Sequence, residues 1–239
     1  MNNKICLIHQ PAGIGDVFFL QYVVRKYMAM GYHVIWPLKD EILWIKDYIL
    51  DIEFCSKQDD FPGKQYYGQD VVILSPQFVY LGLDKPHFWG IPGLGGTRLM
   101  ASKYTVLNLD HKKWAEGFTF KRNREKEEQL YYTVLGLKDD SEYVYVNDFT
   151  NTDIRRTGTL ANKSYDYPII ENRIIDGFSL FDWTKVLENA KEIHTIPTAV
   201  CFIVDVIDTD AKIFYYPQDK RQYEDVIDIF SKVTEYRNA

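Results

Sequence analysis

Residues 8–27, IHQPAGIGDVFFLQYVVRKY, contain the junction that decides the fold. An apolar run from Ile5 to Ile8 stops at Pro-Ala-Gly-Ile-Gly-Asp, and a second apolar stretch begins at once. The first run is typical of a strand that is buried on both faces. Apolar residues at helical spacing follow over 15–30, and Gly31 is placed to end that helix. The stretch therefore predicts a strand, a small-residue turn and a buried helix.

The alternation of strand and helix continues through the first half of the chain. YHVIW, DIEFC and DVVILSP are predicted strands, and DEILWIKDYIL starts with two acidic residues that favour a helix N-terminus. Residues 82–100 are rich in Gly and Pro and have no regular period, so they predict a long loop of functional interest. YTVLNL is predicted as another strand, and 121–136 as a polar helix that ends at Gly136.

The second half repeats the pattern. Strands are predicted at EYVYVND, DYPIIE, KEIHTI and AKIFYY. Helices are predicted at SLFDWTKVLENA with Ser179 as N-cap, at PTAVCFIVDVI with Pro197 near its first turn, and over 219–236. Such alternation predicts parallel sheets with right-handed crossovers. We therefore expect an α/β protein with two Rossmann-like domains that face each other across a cleft.

Composition restricts the class of protein. Hydrophobic residues make up 46% of the 239, which predicts a packed globular core. The net charge is −6 and no clustered basic face stands out, so we do not expect a nucleic-acid partner. The 18 Tyr and 14 Phe are expected mainly in the core, with a stacking surface for sugars or bases as the alternative.

The three cysteines are expected to be buried thiols. Cys6, Cys55 and Cys201 lie far apart in or beside apolar runs, without metal-ligand spacing, as in proteins of a reducing compartment. The apolar runs are shorter than the roughly 20 residues that span a bilayer, and the N-terminus lacks the features of a signal peptide. We expect a cytoplasmic protein without a membrane span.

Polar residues that follow the predicted strands are the candidates for chemistry, because ligands of open parallel sheets gather at the carboxyl ends of strands. Gly13, Gly15 and Asp16 follow the first strand. The glycines would let backbone amides approach a ligand closely. Asp16 is interpreted either as a helix-capping carboxylate or as a general base, with equal weight from spacing alone.

Two further candidates lie in the second half. Thr195 and Thr198 form either an anion site with the following helix start or a plain N-cap. Asn147, Thr150 and the nearby cations Arg155, Arg156 and Lys163 either hold phosphates or belong to a solvated loop. Asp208–Asp210 precedes a strand and is interpreted as a turn rather than a metal-binding D-x-D, and the histidines lack ligand spacing, so no metal is expected.

Two segments carry a family resemblance. ICLIHQPAGIGDVFFLQYVVRKYMAMGYHVIWPL resembles the opening of the ADP-heptose lipopolysaccharide heptosyltransferases, which start with a strand, a loop ending in Gly-Asp and an apolar helix. GFSLFDWTKVLENAKEIHTIPTAVCFIVDVI looks like their donor-site segment. The shortened form looks more like the small glycosyltransferase-like proteins of viruses and phages.

The resemblance implies a GT-B fold and a metal-independent, inverting transfer of a sugar from a nucleotide-sugar donor to an acceptor hydroxyl. It implies an acceptor domain over 1–121, a linking helix over 122–136 and a donor domain over 137–239. Asp16 would be the catalytic base. The donor-binding residues would be Gly15, Asn147, Thr150, Glu171, Gly177, Phe178, Ser179, Thr195, Pro197 and Thr198, and the acceptor-binding residues His9, Gly13 and Arg98. No metal and no cofactor other than the nucleotide-sugar is implied.

One departure from the family pattern keeps a second function open. The Asp-Thr-Gly of the family reads His194-Thr195-Ile196 in this chain, so the acid and the glycine are absent. The alternative is a non-catalytic module of the same fold that binds nucleotides or nucleotide-sugars. A dinucleotide-dependent dehydrogenase is disfavoured, because the turn at Gly13 lacks the third glycine of G-x-G-x-x-G.

Overall fold

The computed structural model describes residues 4–8, 10–57, 70–74, 99–105, 107–149, 160 and 162–237. The chain divides into two compact units, Met1–Lys121 and Arg122–Ala239. Each unit contains its own parallel sheet, and helices connect the strands. The predicted α/β class with parallel sheets is therefore confirmed.

The first unit has a sheet in the order β3-β2-β1-β4, with every described pair parallel. Its elements are β1 (Lys4–Ile8), α1 (Ile14–Ala29), β2 (Tyr32–Leu38), a 3₁₀ helix (Asp40–Asp47), β3 (Glu53–Ser56), β4 (Asp70–Leu74), α2 (Leu99–Thr105), a 3₁₀ turn (His111–Lys113) and α3 (Trp114–Gly117). Cys6 pairs with Val34 on one side and Val72 on the other, so β1 lies inside the sheet and its centre is fully buried.

Helix α1 is buried almost all round, as its sequence predicts. The eight consecutive residues Val17–Val24 are buried, which is typical of a helix covered on several sides. Arg25 fixes the exit of α1: its guanidinium donates to Gly117 O (2.5 Å), Thr119 Oγ1 (2.6 Å) and Asp51 Oδ1 (3.0 Å). These contacts hold the C-terminal part of α1 against the segment at 117–119 and against Asp51.

The second unit has a sheet in the order β6-β5-β7-β8-β9, again with parallel pairs. Its elements are α4 (Arg124–Glu128), a π-helical segment (Gln129–Val134), β5 (Val144–Asn147), β6 (Ile169–Glu171), a 3₁₀ turn (Leu180–Trp183), α5 (Thr184–Glu188), β7 (Glu192–Thr195), α6 (Ala199–Val206), β8 (Lys212–Tyr215), α7 (Lys220–Val226) and β9 (Glu235–Tyr236). The register aligns Asn147 with Thr195 and Thr195 with Tyr215.

Two sequence predictions about elements were wrong. YTVLNL is not a strand, because α2 runs through Thr105 and a turn follows at 107–108. The closing helix predicted over 219–236 ends at Val226, and the chain then forms the short strand β9. Asp205 causes this change of direction, since its carboxylate accepts from Ser231 N (2.7 Å) and Lys232 N (2.8 Å).

Three other predictions need smaller corrections. The helix predicted at DEILWIKDYIL is a 3₁₀ helix, and the polar helix over 121–136 starts at Arg124 and turns π-helical at Gln129. Pro197 lies before the N-cap residue of α6 rather than inside its first turn. The 3₁₀ form at 40–47 places Ile45 alone of its residues in the core.

Tyrosine fills the interior of both units. Among the largest fully buried side chains are Tyr104, Tyr131, Tyr143, Tyr145, Tyr215 and Tyr216. The interpretation of the aromatic residues as core residues is therefore confirmed for these positions. No helix in the described part of the chain is long and apolar enough to cross a bilayer.

Candidate functional site

Asp16 lies in the first turn of α1, directly after the carboxyl end of β1. Gly13 is the N-cap residue of α1, and Asp16 is the third residue of the helix, so its carboxylate does not belong to the N-cap. It forms an ion pair with the ammonium group of Lys103 on α2, and 24% of the Asp16 side chain is exposed. A carboxylate that is held by a cation and still open to solvent suits proton transfer.

The ammonium group of Lys103 is buried, with only 1% of its side chain exposed. It also donates to Gln10 Oε1 at 3.1 Å. Gln10 in turn donates from Nε2 to Ala12 O at 2.7 Å, and its backbone carbonyl accepts from Trp36 Nε1 at 2.9 Å. The turn after β1 is thereby fixed from within, which keeps Asp16 at the carboxyl edge of the first sheet.

Gly13 is required twice in this turn. Its φ of 88° lies in a region of backbone conformation that residues other than glycine rarely adopt. In addition, a Cβ at this position would lie 2.2 Å from Asp16 Oδ2. The carboxylate therefore lies over Gly13, in the space that a side chain there would need. The approach of backbone amides to a ligand at this turn stays a prediction.

A second polar cluster lies at the carboxyl ends of β5 and β7. Asn147 Nδ2 donates to Thr195 Oγ1 (2.8 Å) and to Thr198 Oγ1 (3.0 Å). Asn172, just after β6, donates from Nδ2 to Asn147 Oδ1 at 2.8 Å. The structure thus brings together three of the predicted donor residues, and it adds Asn172.

Thr198 is the N-cap residue of α6, as the capping alternative required. The N–H groups in the first turn of a helix have no intrahelical acceptor, so a capped N-terminus at a strand end still favours an anion.

Burial raises the pKa of the Cys201 thiol in this turn to about 12 and that of Cys6 to about 12. Neither thiol is a nucleophile at neutral pH.

His194 occupies the position of the family's missing acid, and its side chain lies in the core rather than at the sheet edge. It is 2% exposed and stacks on Phe214 with ring centroids 4.6 Å apart. Nδ1 lies 2.8 Å from the Tyr216 hydroxyl, and Nε2 lies 2.9 Å from Glu192 Oε2. Burial lowers the pKa of His194, although the hydrogen bond that its Nε2 donates to Glu192 acts in the opposite direction. This histidine is neutral at neutral pH and has a structural role.

The other predicted donor residues are not joined to the Asn147 cluster by their described contacts. Glu171 ends β6, next to Asn172. Gly177, Phe178 and Ser179 lie in the loop after β6, and their described contacts are with Lys126, Ile175 and Asp182. Gly15 is the second residue of α1, and Pro197 precedes Thr198. The predicted residues His9, Arg98 and Thr150, and with them Arg155 and Arg156, lie outside the described residues.

Sequence reasoning missed three residues of these clusters. Lys103 stands at the edge of the stretch interpreted as a loop, and no local pattern marks it. Gln10 and Asn172 each follow a predicted strand, so the strand-end rule that selected Asp16 and Asn147 could have found them. Asp208–Asp210 precedes β8 at its amino end, as predicted. Among the described residues, no group of three or more His, Cys, Asp or Glu side chains could hold a metal ion.

The arrangement of strands and helices is shared with known glycosyltransferases. The chain has the α/β fold of the GT-B heptosyltransferases and of glycosyltransferase family 9, to which the solved structures that resemble it belong. A family 9 glycosyltransferase from Veillonella parvula superposes with a TM-score of 0.54 at 13% identity, over 92% of this chain and 83% of that one.

Two Escherichia coli structures are similar to the same degree. The ADP-heptose lipopolysaccharide heptosyltransferase II gives a TM-score of 0.53 at 10% identity, over 99% of this chain and 90% of that chain. The iron-containing dodecameric glycosyltransferase TibC gives 0.54 at 10% identity, and this chain covers 65% of it. No protein-family model and no curated protein sequence matches the chain. At these identities the similarity establishes the fold.

Proposed function

We propose that this protein is a glycosyltransferase that moves a sugar from a nucleotide-sugar to an acceptor hydroxyl without a metal ion. The observation that carries the proposal is the Asp16 carboxylate, fixed at a strand end by a buried ammonium group and still 24% exposed. The similarity to structures of family 9 glycosyltransferases and heptosyltransferases supports it, because the same fold holds that chemistry in those proteins.

In this proposal Asp16 accepts the proton of the acceptor hydroxyl. The oxygen then forms a bond to the anomeric carbon, and the bond between that carbon and the diphosphate oxygen breaks. The leaving nucleoside diphosphate takes the electron pair, and the single displacement inverts the anomeric centre. General bases of this kind contribute typically about 10²–10⁴-fold to the rate.

The donor diphosphate is assigned to the Asn147 cluster. Thr198 presents its hydroxyl group at the N-terminus of α6, where partial positive charge favours an anion, and the fully buried Thr195 supports this turn through Asn147. These groups, and not a metal, would stabilise the negative charge that the diphosphate gains. Asn172, Glu171 and the loop at Gly177–Ser179 are the candidates for the nucleoside. His9, Gly13 and Arg98 stay the predicted contacts of the acceptor.

The compartment belongs to the proposal as well. Cys6, Cys55 and Cys201 form no disulfide, which suits the reducing cytoplasm, and Cys6 and Cys201 are buried as predicted whereas Cys55 is only partly buried. A relation to viral or phage proteins stays a prediction from the sequence.

The first experiment is a thermal-shift screen with ADP-, UDP-, GDP- and CMP-sugars. A ligand at about 100 times its dissociation constant adds roughly 2.7 kcal/mol of stability, so a true donor raises the melting temperature clearly. The stabilising donor is then tested for transfer and hydrolysis with wild type and with Asp16→Asn. We expect Asp16→Asn to keep donor binding and to lose about 10²–10⁴-fold in turnover. Unchanged turnover would contradict the role of Asp16.

The same assay distinguishes the alternative function. The Asp-to-His change at residue 194 and the core position of that side chain favour a module that binds without catalysis. Donor binding by the wild type with no hydrolysis and no transfer to any of a panel of acceptors would support that module and reject the enzyme.

A further inference from the structure

Lys103 is the unusual residue of the first unit, because its ammonium group is buried at 1% exposure. Removing a cation from water is costly unless it is paired and hydrogen-bonded. The described partners of Lys103 are the Asp16 carboxylate and Gln10 Oε1. The ion pair therefore joins the first turn of α1, which carries Asp16, to α2, which carries Lys103 87 residues further along the chain.

The surroundings of Lys103 leave it little freedom. Gln10 is 4% exposed, and the bond from its Nε2 to Ala12 O fixes the side-chain amide so that Oε1 faces the ammonium group. Trp36, which is fully buried, holds the backbone of Gln10 through the bond to its carbonyl oxygen. The ammonium group consequently has a defined position, and the Asp16 oxygen that it contacts has one too.

The two carboxylate oxygens of Asp16 differ in their surroundings. Oδ1 contacts Lys103, and Oδ2 lies over Gly13. The Asp16 side chain is accessible whereas Lys103 is not, so an incoming hydroxyl could reach the carboxylate but not the ammonium group. Lys103 is buried in this position, so a substrate would meet the accessible Asp16 carboxylate and not the ammonium group behind it.

We propose that Lys103 is the positioning residue of the general base: from the buried side it fixes the Asp16 carboxylate, by one oxygen, in the orientation that accepts the acceptor's proton. This inference rests on the proposed glycosyl transfer and adds a residue on α2 to it. Misplacement of a reacting group by about 1 Å can cost about 100-fold in rate, so a defined ion pair is an effective device at this place.

The experiment compares Lys103→Met and Lys103→Arg with Lys46→Met, which removes a charge from an exposed lysine of the 3₁₀ helix at 40–47. We expect Lys103→Met to lower kcat about 10- to 100-fold at nearly unchanged KM for the donor. Lys103→Arg should recover part of kcat, and Lys46→Met should equal wild type.

The double variant Lys103→Met with Asp16→Asn shows whether Lys103 acts through Asp16. We expect kcat of the double variant to equal that of Asp16→Asn, and its melting temperature to fall by less than the sum of the two single losses. The double variant also guards against misfolding, because replacing both charges together leaves no uncompensated charge in the core.

Each result decides a separate claim. If the wild type shows turnover and Lys103→Met has the same kcat, the positioning role is overturned and the proposed transfer stays intact. The same conclusion follows if the two losses in kcat multiply in the double variant. Absence of wild-type turnover with every donor that binds would overturn the proposed transfer, and this inference with it. A kcat loss that is absent in the Asp16→Asn background and partly recovered by Lys103→Arg supports both.

Discussion

The Asp16 carboxylate occupies the space that a side chain on residue 13 would need, since a Cβ on Gly13 would lie 2.2 Å from Asp16 Oδ2. Gly31 also has a positive φ, of 84°, but a Cβ there would meet nothing within 4 Å. These two glycines separate the cost of the backbone conformation from the cost of displacing the acid.

We expect Gly13→Ala to be more damaging than Gly31→Ala. An alanine at positive φ is strained at both positions, and in the left-handed helical region such strain costs roughly 1–2 kcal/mol. Only Gly13→Ala must also move Asp16 away from Lys103, so it should lose additional stability and nearly all transfer activity. Urea unfolding and the transfer assay measure both effects. Equal loss of stability and activity in the two variants would show that Asp16 does not depend on residue 13.

The Asn147 cluster makes a second prediction. Asn147 is 1% exposed and joins Thr195, Thr198 and Asn172. Asn147→Ala leaves buried polar groups without partners, which costs about 1–3 kcal/mol. Under the proposed function it should also weaken the binding of the nucleotide that stabilises wild type.

Asn189→Ala is the matched control for Asn147→Ala. Asn189 is exposed and donates to Lys185 O at 2.8 Å, so its loss should change stability by less than about 0.5 kcal/mol and leave nucleotide affinity unchanged. Urea unfolding and calorimetry with the nucleotide test both variants. A nucleotide affinity that is the same in Asn147→Ala and wild type would place the diphosphate elsewhere.

The sequence was sufficient for most of the fold because the signals that define it are local. Continuous apolar runs such as Ile5–Ile8 mark buried parallel strands, and periodic apolar residues over 15–30 mark α1. Both were confirmed, as were seven further strands near their predicted positions, although β9 was missed within the predicted closing helix. The strand-end rule located Asp16, Asn147 and Thr195 for the same reason.

The features that the sequence did not predict depend on contacts between residues that are far apart along the chain. Tyr104 and its neighbours have strand propensity, but packing on Phe19 with ring centroids 4.6 Å apart places them in and after a short helix. Apolar residues over 227–230 continue a helical period, but Asp205 binds the backbone at Ser231 and turns the chain into β9. Lys103 pairs with Asp16 across 87 residues, a relationship that no local pattern contains.

Tyr143, directly before β5, and Tyr145, within β5, are both buried and allow the contribution of a tyrosine hydroxyl to stability to be compared. The Tyr143 hydroxyl donates to Val186 O at 2.7 Å, whereas the buried Tyr145 hydroxyl has no hydrogen-bond partner within the described part of the chain. Tyr143→Phe should therefore lose about 0.5–1.5 kcal/mol, and Tyr145→Phe should be neutral or stabilising by about 1 kcal/mol. Chemical unfolding of both variants checks the difference. A destabilised Tyr145→Phe would reveal a partner for that hydroxyl.

His194 predicts a specific pH dependence of stability. Burial lowers its pKa from the ordinary value of 6.5, and Arg237 and Lys163 act in the same direction, whereas the hydrogen bond to Glu192 raises it. Its other neighbours are Tyr216 and Tyr165, whose pKa values are both raised by burial, so they stay neutral here. The unfolded chain thus binds this proton near pH 6.5, and the folded chain binds it only at lower pH.

Between those two pKa values the unfolded state binds more protons, so the free energy of unfolding falls as pH falls below 6.5, by at most about 1.4 kcal/mol per pH unit. His194→Phe keeps an aromatic ring against Phe214 and removes the titration. Carboxylates other than Glu192, which contacts His194, have the same surroundings in both proteins, so they cancel in the stability difference between wild type and His194→Phe. Urea unfolding between about pH 7.5 and about pH 5.5 should show wild type losing stability relative to the variant. A difference that stays constant, or grows in favour of wild type at low pH, would mean that His194 is not held neutral by the core.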